Sequence, residues 1–165
     1  MPTPAVLPAD EPRRLQSLYE TLLLDTQPEA RFDRVVRDAA TTFEVDSALF
    51  TLVDAHRQWF KSRHNWSAAQ TSRDIAFCAH TILEADILVV EDALQDARFL
   101  TNPLVTGQPG IRFYAGAPVL TLDGSAIGTL CLIDSKPRTF NAAERAQLLE
   151  LRDRLTAALL VDTEL

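Results

Sequence analysis

Phe113-Tyr114-Ala115-Gly116-Ala117-Pro118-Val119-Leu120 and Ala126-Ile127-Gly128-Thr129-Leu130-Cys131-Leu132-Ile133-Asp134 face each other across Asp123-Gly124. An Asp-Gly pair between two apolar runs is a strong hairpin signal, because glycine readily takes the positive φ of a tight reversal. Side chains alternate along a strand, so the second run puts Ile127, Thr129, Cys131 and Ile133 on one face. Gly128, Leu130 and Leu132 take the other. Neither face carries a charge, so both sides of this strand are expected to be covered.

Working outward, Ala48 to Val53 and Gln58 to His64 form a second expected hairpin around Asp54-Ala55-His56-Arg57. Ile87 to Glu91 reads as a further strand. A short helix is expected around Ile75 to Leu83. Another, with a loop, is expected between Gln95 and Val105, where Pro103 acts as a breaker. Leucines 15, 18 and 22 recur at helical spacing in a helix from Pro12 to Leu24. Thr26-Gln27-Pro28-Glu29 has the pattern of a capping box opening a second helix, whose apolar face is Phe32, Val35, Val36, Ala39 and Phe43. Asn141 and Glu144 make a variant capping box for the last helix, with Leu148, Leu151, Leu155 and Leu159 down one stripe. The order predicts an α+β domain built on a central antiparallel sheet of five or six strands. Terminal helices cover one face. The segment from Trp66 to Gly110 roofs the other with short helices and loops, a suitable place for a small-ligand pocket.

At 165 residues the chain fits one domain, expected over residues 12–165 behind a flexible leader of residues 1–11. The leader carries Pro2, Pro4 and Pro8 and lacks the basic and apolar regions of a signal peptide. No run is long and apolar enough to span a bilayer. A net charge of −7 disfavours nucleic acid as a partner. Two cysteines without an export signal predict free thiols in a reducing, cytoplasmic setting. They are too few for a structural zinc site, and no cofactor is assigned.

Further stretches resemble the GAF domain family. They are Leu24-Asp25-Thr26, Phe32-Asp33, Leu52-Val53-Asp54 with Arg57-Gln58-Trp59-Phe60-Lys61, Arg73-Asp74 and Phe77-Cys78-Ala79-His80. Asp96-Ala97-Arg98-Phe99, Asn102-Pro103-Leu104-Val105, Arg112 to Val119, Gly128-Thr129-Leu130-Cys131 and Ile133-Asp134 complete the set. The subgroup resembled is bacterial and often attached to histidine kinases or cyclic-dinucleotide enzymes. The sequence departs from it at Ala76, where Ser is usual, and at Asn65-Trp66-Ser67, where a Gly-containing turn is usual. The resemblance implies a ligand pocket on one face of the sheet and terminal helices that pair between subunits. It makes a small-molecule sensor the expectation, acting through a partner protein or a homodimer, with no effector region expected beyond Leu165.

Candidate ligand-binding residues are Phe77, Cys78, His80, Asp92, Phe99 and Asn102 from the roof, with Phe113, Tyr114, Thr129 and Cys131 from the sheet. No catalytic residue is assigned. Each has a plainer reading: Cys78 and Cys131 as packed core thiols, His80 bonded to a loop, and the aromatics as core. Arg73, Asp74, Asp92, Arg98 and Arg112 read as an ion-pair network holding the roof. Alternatives to the sensor are a small thiol enzyme, such as a free methionine sulfoxide reductase, and a ligand-free interaction module. The reductase spacing of cysteines is absent, as is the Cys-His pair typical of bilin attachment.

Overall fold

Two hairpins set the sheet, and the computed structural model describes residues 3–160 around them. Helices α1 (Glu11–Glu20) and α2 (Ala30–Phe43) lead into strands β1 (Ser47–Val53) and β2 (Arg57–His64). The middle segment holds β3 (Gln70–Ser72), a 3-10 turn (Arg73–Ile75), α3 (Cys78–Thr81), β4 (Leu88–Val90), a second 3-10 turn (Ala93–Gln95) and α4 (Pro103–Thr106). Strands β5 (Phe113–Leu120) and β6 (Ala126–Asp134) and helix α5 (Ala142–Leu160) follow. The six strands form one sheet in the order β3-β2-β1-β6-β5-β4. Every pairing is antiparallel.

Alternation along the strands divides the interior into two cores. Ala48, Phe50 and Leu52 of β1 join Leu130 and Leu132 of β6 under α2 and α5, with Leu18 of α1. On the opposite face Leu49, Val53, Tyr114, Cys131 and Ile133 meet the roof residues Phe77, Cys78, Ile82, Phe99 and Val105. This is the α+β arrangement expected, with a roof over one face.

Two irregularities decide which side chains reach which face. Between Phe50 and Thr51 the register on β2 slips past Lys61. The Lys61 ammonium is thereby buried on the helix side, where it donates to Thr26 Oγ1 at 2.6 Å and pairs with Glu29 at 2.8 Å. A second slip, between Val119 and Leu120, leaves Ile127 without a partner on β5. Ile127 therefore packs with the helix-side core, not with Thr129 and Cys131 as strict alternation predicted. A bulge rotates the strand by one residue, and pattern alone does not reveal it.

Caps account for the other departures. Asn141 and Glu144 form the expected reciprocal box, with Glu144 N donating to Asn141 Oδ1 at 2.8 Å and Asn141 N to Glu144 Oε1 at 2.9 Å. The Thr26–Glu29 box does not form. The Thr26 hydroxyl donates to Leu23 O, Glu29 is held by Lys61 and Arg31, and α2 begins at Ala30. Helix α1 ends early because the chain reverses at Leu22, which has φ of 58° and is 80% exposed. Pro103 opens α4 instead of breaking it; its missing N–H costs nothing in a first turn, and Asn102 caps it. At the turn where the subgroup carries glycine, Asn65 takes φ of 55°, a conformation Asn tolerates better than most residues.

Candidate functional site

The roof is held together by contacts among its own short pieces. Asn102 Oδ1 accepts from Leu104 N at 2.9 Å, and its Nδ2 donates to Ile75 O at 3.0 Å, joining α4 to the segment before α3. Phe77 and Phe99 stack with centroids 4.0 Å apart, and His80 stands edge-on to Phe99 at 4.8 Å. His80 Nε2 lies 3.1 Å from the Thr3 carbonyl, so the ring donates from that nitrogen and the segment before α1 lies on the roof. Burial, first, and the Arg98 charge hold the His80 pKa below its ordinary value.

Beneath the stacked rings lies a chain of buried hydroxyls and thiols. Cys78 Sγ is 2.9 Å from Thr129 Oγ1, 3.2 Å from Tyr114 Oη and 3.9 Å from Cys131 Sγ. Thr129 Oγ1 meets Thr51 Oγ1 at 3.0 Å, and Tyr114 Oη meets Thr81 Oγ1 at 2.6 Å. Gly116 makes room for this arrangement. A Cβ there would stand 2.2 Å from Tyr114 Oη and 2.7 Å from its Cζ. Burial disfavours a Cys78 thiolate, but hydrogen bonds from Cys131, Thr129, Thr51 and Tyr114 outweigh it and lower the Cys78 pKa. Cys131 is driven the opposite way, by burial first and then by Cys78 beside it. Cys78 is the more acidic thiol because the hydroxyls converge on its sulfur.

Cys78 and Cys131 line a void of about 10 Å³, together with Leu49, Gln58, Trp66, Phe77 and Tyr114. That is near the lower limit for one water molecule. Gln58 Oε1 and Trp66 Nε1 are buried with no hydrogen-bond partner. Trp66 and Leu104 also line an open surface cleft of about 390 Å³, together with Asp46, Asn65 and Pro109. These two side chains thus form a wall between solvent and the void.

The structure brings six of the sequence-predicted site residues together: Phe77, Cys78, Phe99, Tyr114, Thr129 and Cys131, with His80 at the edge. Phe113 is on the other face of the sheet, packed on Phe140 in the helix-side core. Asp92 caps the second 3-10 turn through Leu94 N, and Asn102 serves the roof as described. Thr51, Thr81 and Gln58 were not singled out by sequence. Thr51 was within reach, since alternation in β1 places it on the face of Leu49 and Val53. The charged residues are structural, but the ion-pair network expected among them does not form: Arg73, Arg98 and Arg112 each bond outside that set. Glu11 bridges Arg73 at 2.6 Å and Arg14 at 2.7 Å, while Arg14 donates to Val53 O and Arg73 to Asp54 O. Arg98 pairs with Asp96, and Arg112 donates to Val105 O. Among the described residues no cluster of His, Cys, Asp and Glu could hold a metal ion, and no helix is long and apolar enough to cross a membrane.

A sheet with helices behind it and a short-element roof over a polar cluster is the architecture of a GAF domain. The GAF family model matches residues 27–159, and the chain belongs to that family, whose members typically sense small molecules in signalling proteins. A cyclic di-GMP phosphodiesterase of Pseudomonas aeruginosa is 39% identical over 151 residues, which is 92% of this chain and 26% of that protein. This chain therefore spans about a quarter of the curated relative it matches. The GAF domain of a phosphoenolpyruvate-protein phosphotransferase from Coxiella burnetii superposes with a TM-score of 0.65 at 13% identity, covering 92% of this chain and 95% of that one. A type II free methionine-R-sulfoxide reductase from Thermoplasma acidophilum gives 0.65 at 14% identity, over 79% and 90%. At these identities the likeness is one of fold.

Proposed function

We propose that this domain is a small-molecule-sensing regulatory domain of bacterial signal transduction, with the roof-side cluster around Cys78 as its sensing site. The observation that carries this reading is the void beneath the wall of Trp66 and Leu104. Its mostly apolar lining includes Gln58 and Trp66, each with an unpartnered polar atom, and it is too small for more than about one water. A larger ligand enters only by displacing the roof, which is built of helices and turns of three or four residues. Binding is then coupled to a conformational change, the requirement for a regulatory domain. Arg73 links the roof to α1 through Glu11, so a displaced roof is felt at the terminal helix. From there the signal passes to a partner protein or across a homodimer. The relative from P. aeruginosa supports this reading, since its name is that of a cyclic-dinucleotide enzyme and the similar region is a minor part of it.

Native mass spectrometry of freshly purified protein, followed by calorimetric titration of a metabolite panel, tests the reading. A co-purifying or saturably binding molecule is expected, and Cys131→Phe, which fills the void, should abolish binding. Equal binding by both proteins would place the site elsewhere. The small size of the void favours a second reading, a ligand-free interaction module, which predicts no binding by either. The reductase reading rests on a likeness of fold at 14% identity, and the cysteine spacing of that subgroup is absent here.

A further inference from the structure

We propose that Cys78 and Cys131 form a redox site at which a small hydroperoxide is reduced while the two thiols close to a disulfide. This goes beyond noncovalent sensing and needs no other ligand.

Three observations converge on the pair. The sulfurs are 3.9 Å apart on the facing surfaces of α3 and β6, and both are free thiols. Cys78 and Cys131 both line the void of about 10 Å³. At about the size of one water it admits hydrogen peroxide with a slight shift of its lining, whereas a bulky oxidant requires displacement of the roof. Gln58 and Trp66 line the same void and supply an unpartnered acceptor, Oε1, and an unpartnered donor, Nε1–H. Hydrogen peroxide both donates and accepts, which matches the chemistry of an unpartnered acceptor and an unpartnered donor on residues of that lining. Trp66 stands between this void and the surface cleft, placing the entry route at its side chain.

The surroundings assign the order of events. Thr129 and Tyr114 hydroxyls lie within hydrogen-bond distance of Cys78 Sγ, which makes Cys78 the attacking sulfur. An S–O bond forms as the O–O bond breaks, and the second oxygen leaves as water with the proton Cys78 releases. Cys131 then attacks the Cys78 sulfur. The S–S bond forms, the S–O bond breaks, and a second water carries off the Cys131 proton. Each sulfur loses one electron and the peroxide gains two. Bonding brings the sulfurs from 3.9 Å to about 2.05 Å. Cys131 sits in mid-sheet, so α3 must supply most of that movement, and Cys78 leaves its contacts with Thr129 and Tyr114.

The test exposes the folded, reduced protein to hydrogen peroxide, then denatures it, alkylates it with N-ethylmaleimide and records the intact mass. The expected product has lost two hydrogens, takes up no alkylating reagent, and regains both thiols on treatment with dithiothreitol. Cys131→Ser should stop at a sulfenic acid on Cys78 that dimedone captures. Cys78→Ser should leave Cys131 unmodified. tert-Butyl hydroperoxide should react more slowly than hydrogen peroxide, and Trp66→Ala should narrow the difference. The proposal is overturned if the wild-type protein keeps two alkylatable thiols at a dose that oxidises the urea-unfolded chain. A disulfide between two chains, direct passage of Cys78 to sulfinic acid, or oxidation of Cys131 in Cys78→Ser would overturn it equally. The wild-type measurement stands without any variant folding.

Discussion

Gly116 shows how much one missing methyl group can decide. Tyr114 leans along its own strand over Gly116, and that lean brings the phenol to Cys78 and Thr81. Gly116→Ala should destabilise the domain by about 1–3 kcal/mol, because the ring is fully buried and has no free direction in which to yield. Urea denaturation measures this. Adding Tyr114→Phe removes the nearest atom of the clash, so the double variant should lose less than the sum of the single changes. Strict additivity would show that the two positions do not meet. The sequence displayed Tyr114, Thr129 and Cys131 as candidates but hid Gly116, whose role depends on the direction of a neighbour's side chain. Phe113 was misplaced for a related reason. Adjacent strand residues point to opposite faces, so Phe113 and Tyr114 never shared a site.

Among the elements, α5 was the most legible. Its cap and its leucine stripe lie where the pattern put them, because both signals are local. Asn141→Ala should cost about 1 kcal/mol, read as a lower urea midpoint, and an unchanged midpoint would mean that the cap is redundant. The roof was the least legible. Its pieces are three or four residues long, too short for a helical period to show, and they are fixed by tertiary contacts such as Asn102 to Ile75. Helix α1 depends on its ion triad. Glu11→Gln leaves two buried guanidinium groups without their carboxylate, and a loss on the order of 3 kcal/mol is expected. Retention of full stability in that variant would show that water replaces the carboxylate.

For the whole molecule, two expectations follow. The first concerns pH. His80 has a folded pKa below its ordinary value of 6.5, from burial first and from Arg98 second, although Asp96, Glu84 and the Thr3 carbonyl oppose this. Below pH 6.5 the unfolded chain takes a proton that the folded chain refuses, so stability should fall as pH drops from 6.5 through the folded value. The lowered pKa of Glu11 adds a further loss only below its ordinary value of 4.5. Urea midpoints of wild type and His80→Gln between pH 7.5 and 5.5 separate the two groups. An equally steep decline in the variant would clear His80 of the effect. The second concerns assembly. Leu18, Leu151 and Leu155 are consumed by the domain's own core, so a homodimer must use what remains exposed near α1 and α5. Tyr19, Leu22, Leu122 and Leu160 are there, between 45% and 87% exposed. Sedimentation at micromolar concentration should show a dimer that Leu22→Glu weakens, and a monomer at every concentration would remove the idea.

The triad of Glu11, Arg14 and Arg73 also says where the folding unit begins. The family pattern starts at residue 27, and a fragment cut there would look complete by sequence likeness. It would nevertheless retain Arg73, 8% exposed at the root of the roof, with its carboxylate partner discarded. The helix side would at the same time lose Leu18, which is fully enclosed in the whole chain. A boundary drawn by kinship and a boundary drawn by charge neutrality therefore differ by at least sixteen residues in this domain, and an experimenter trimming the gene should obey the second.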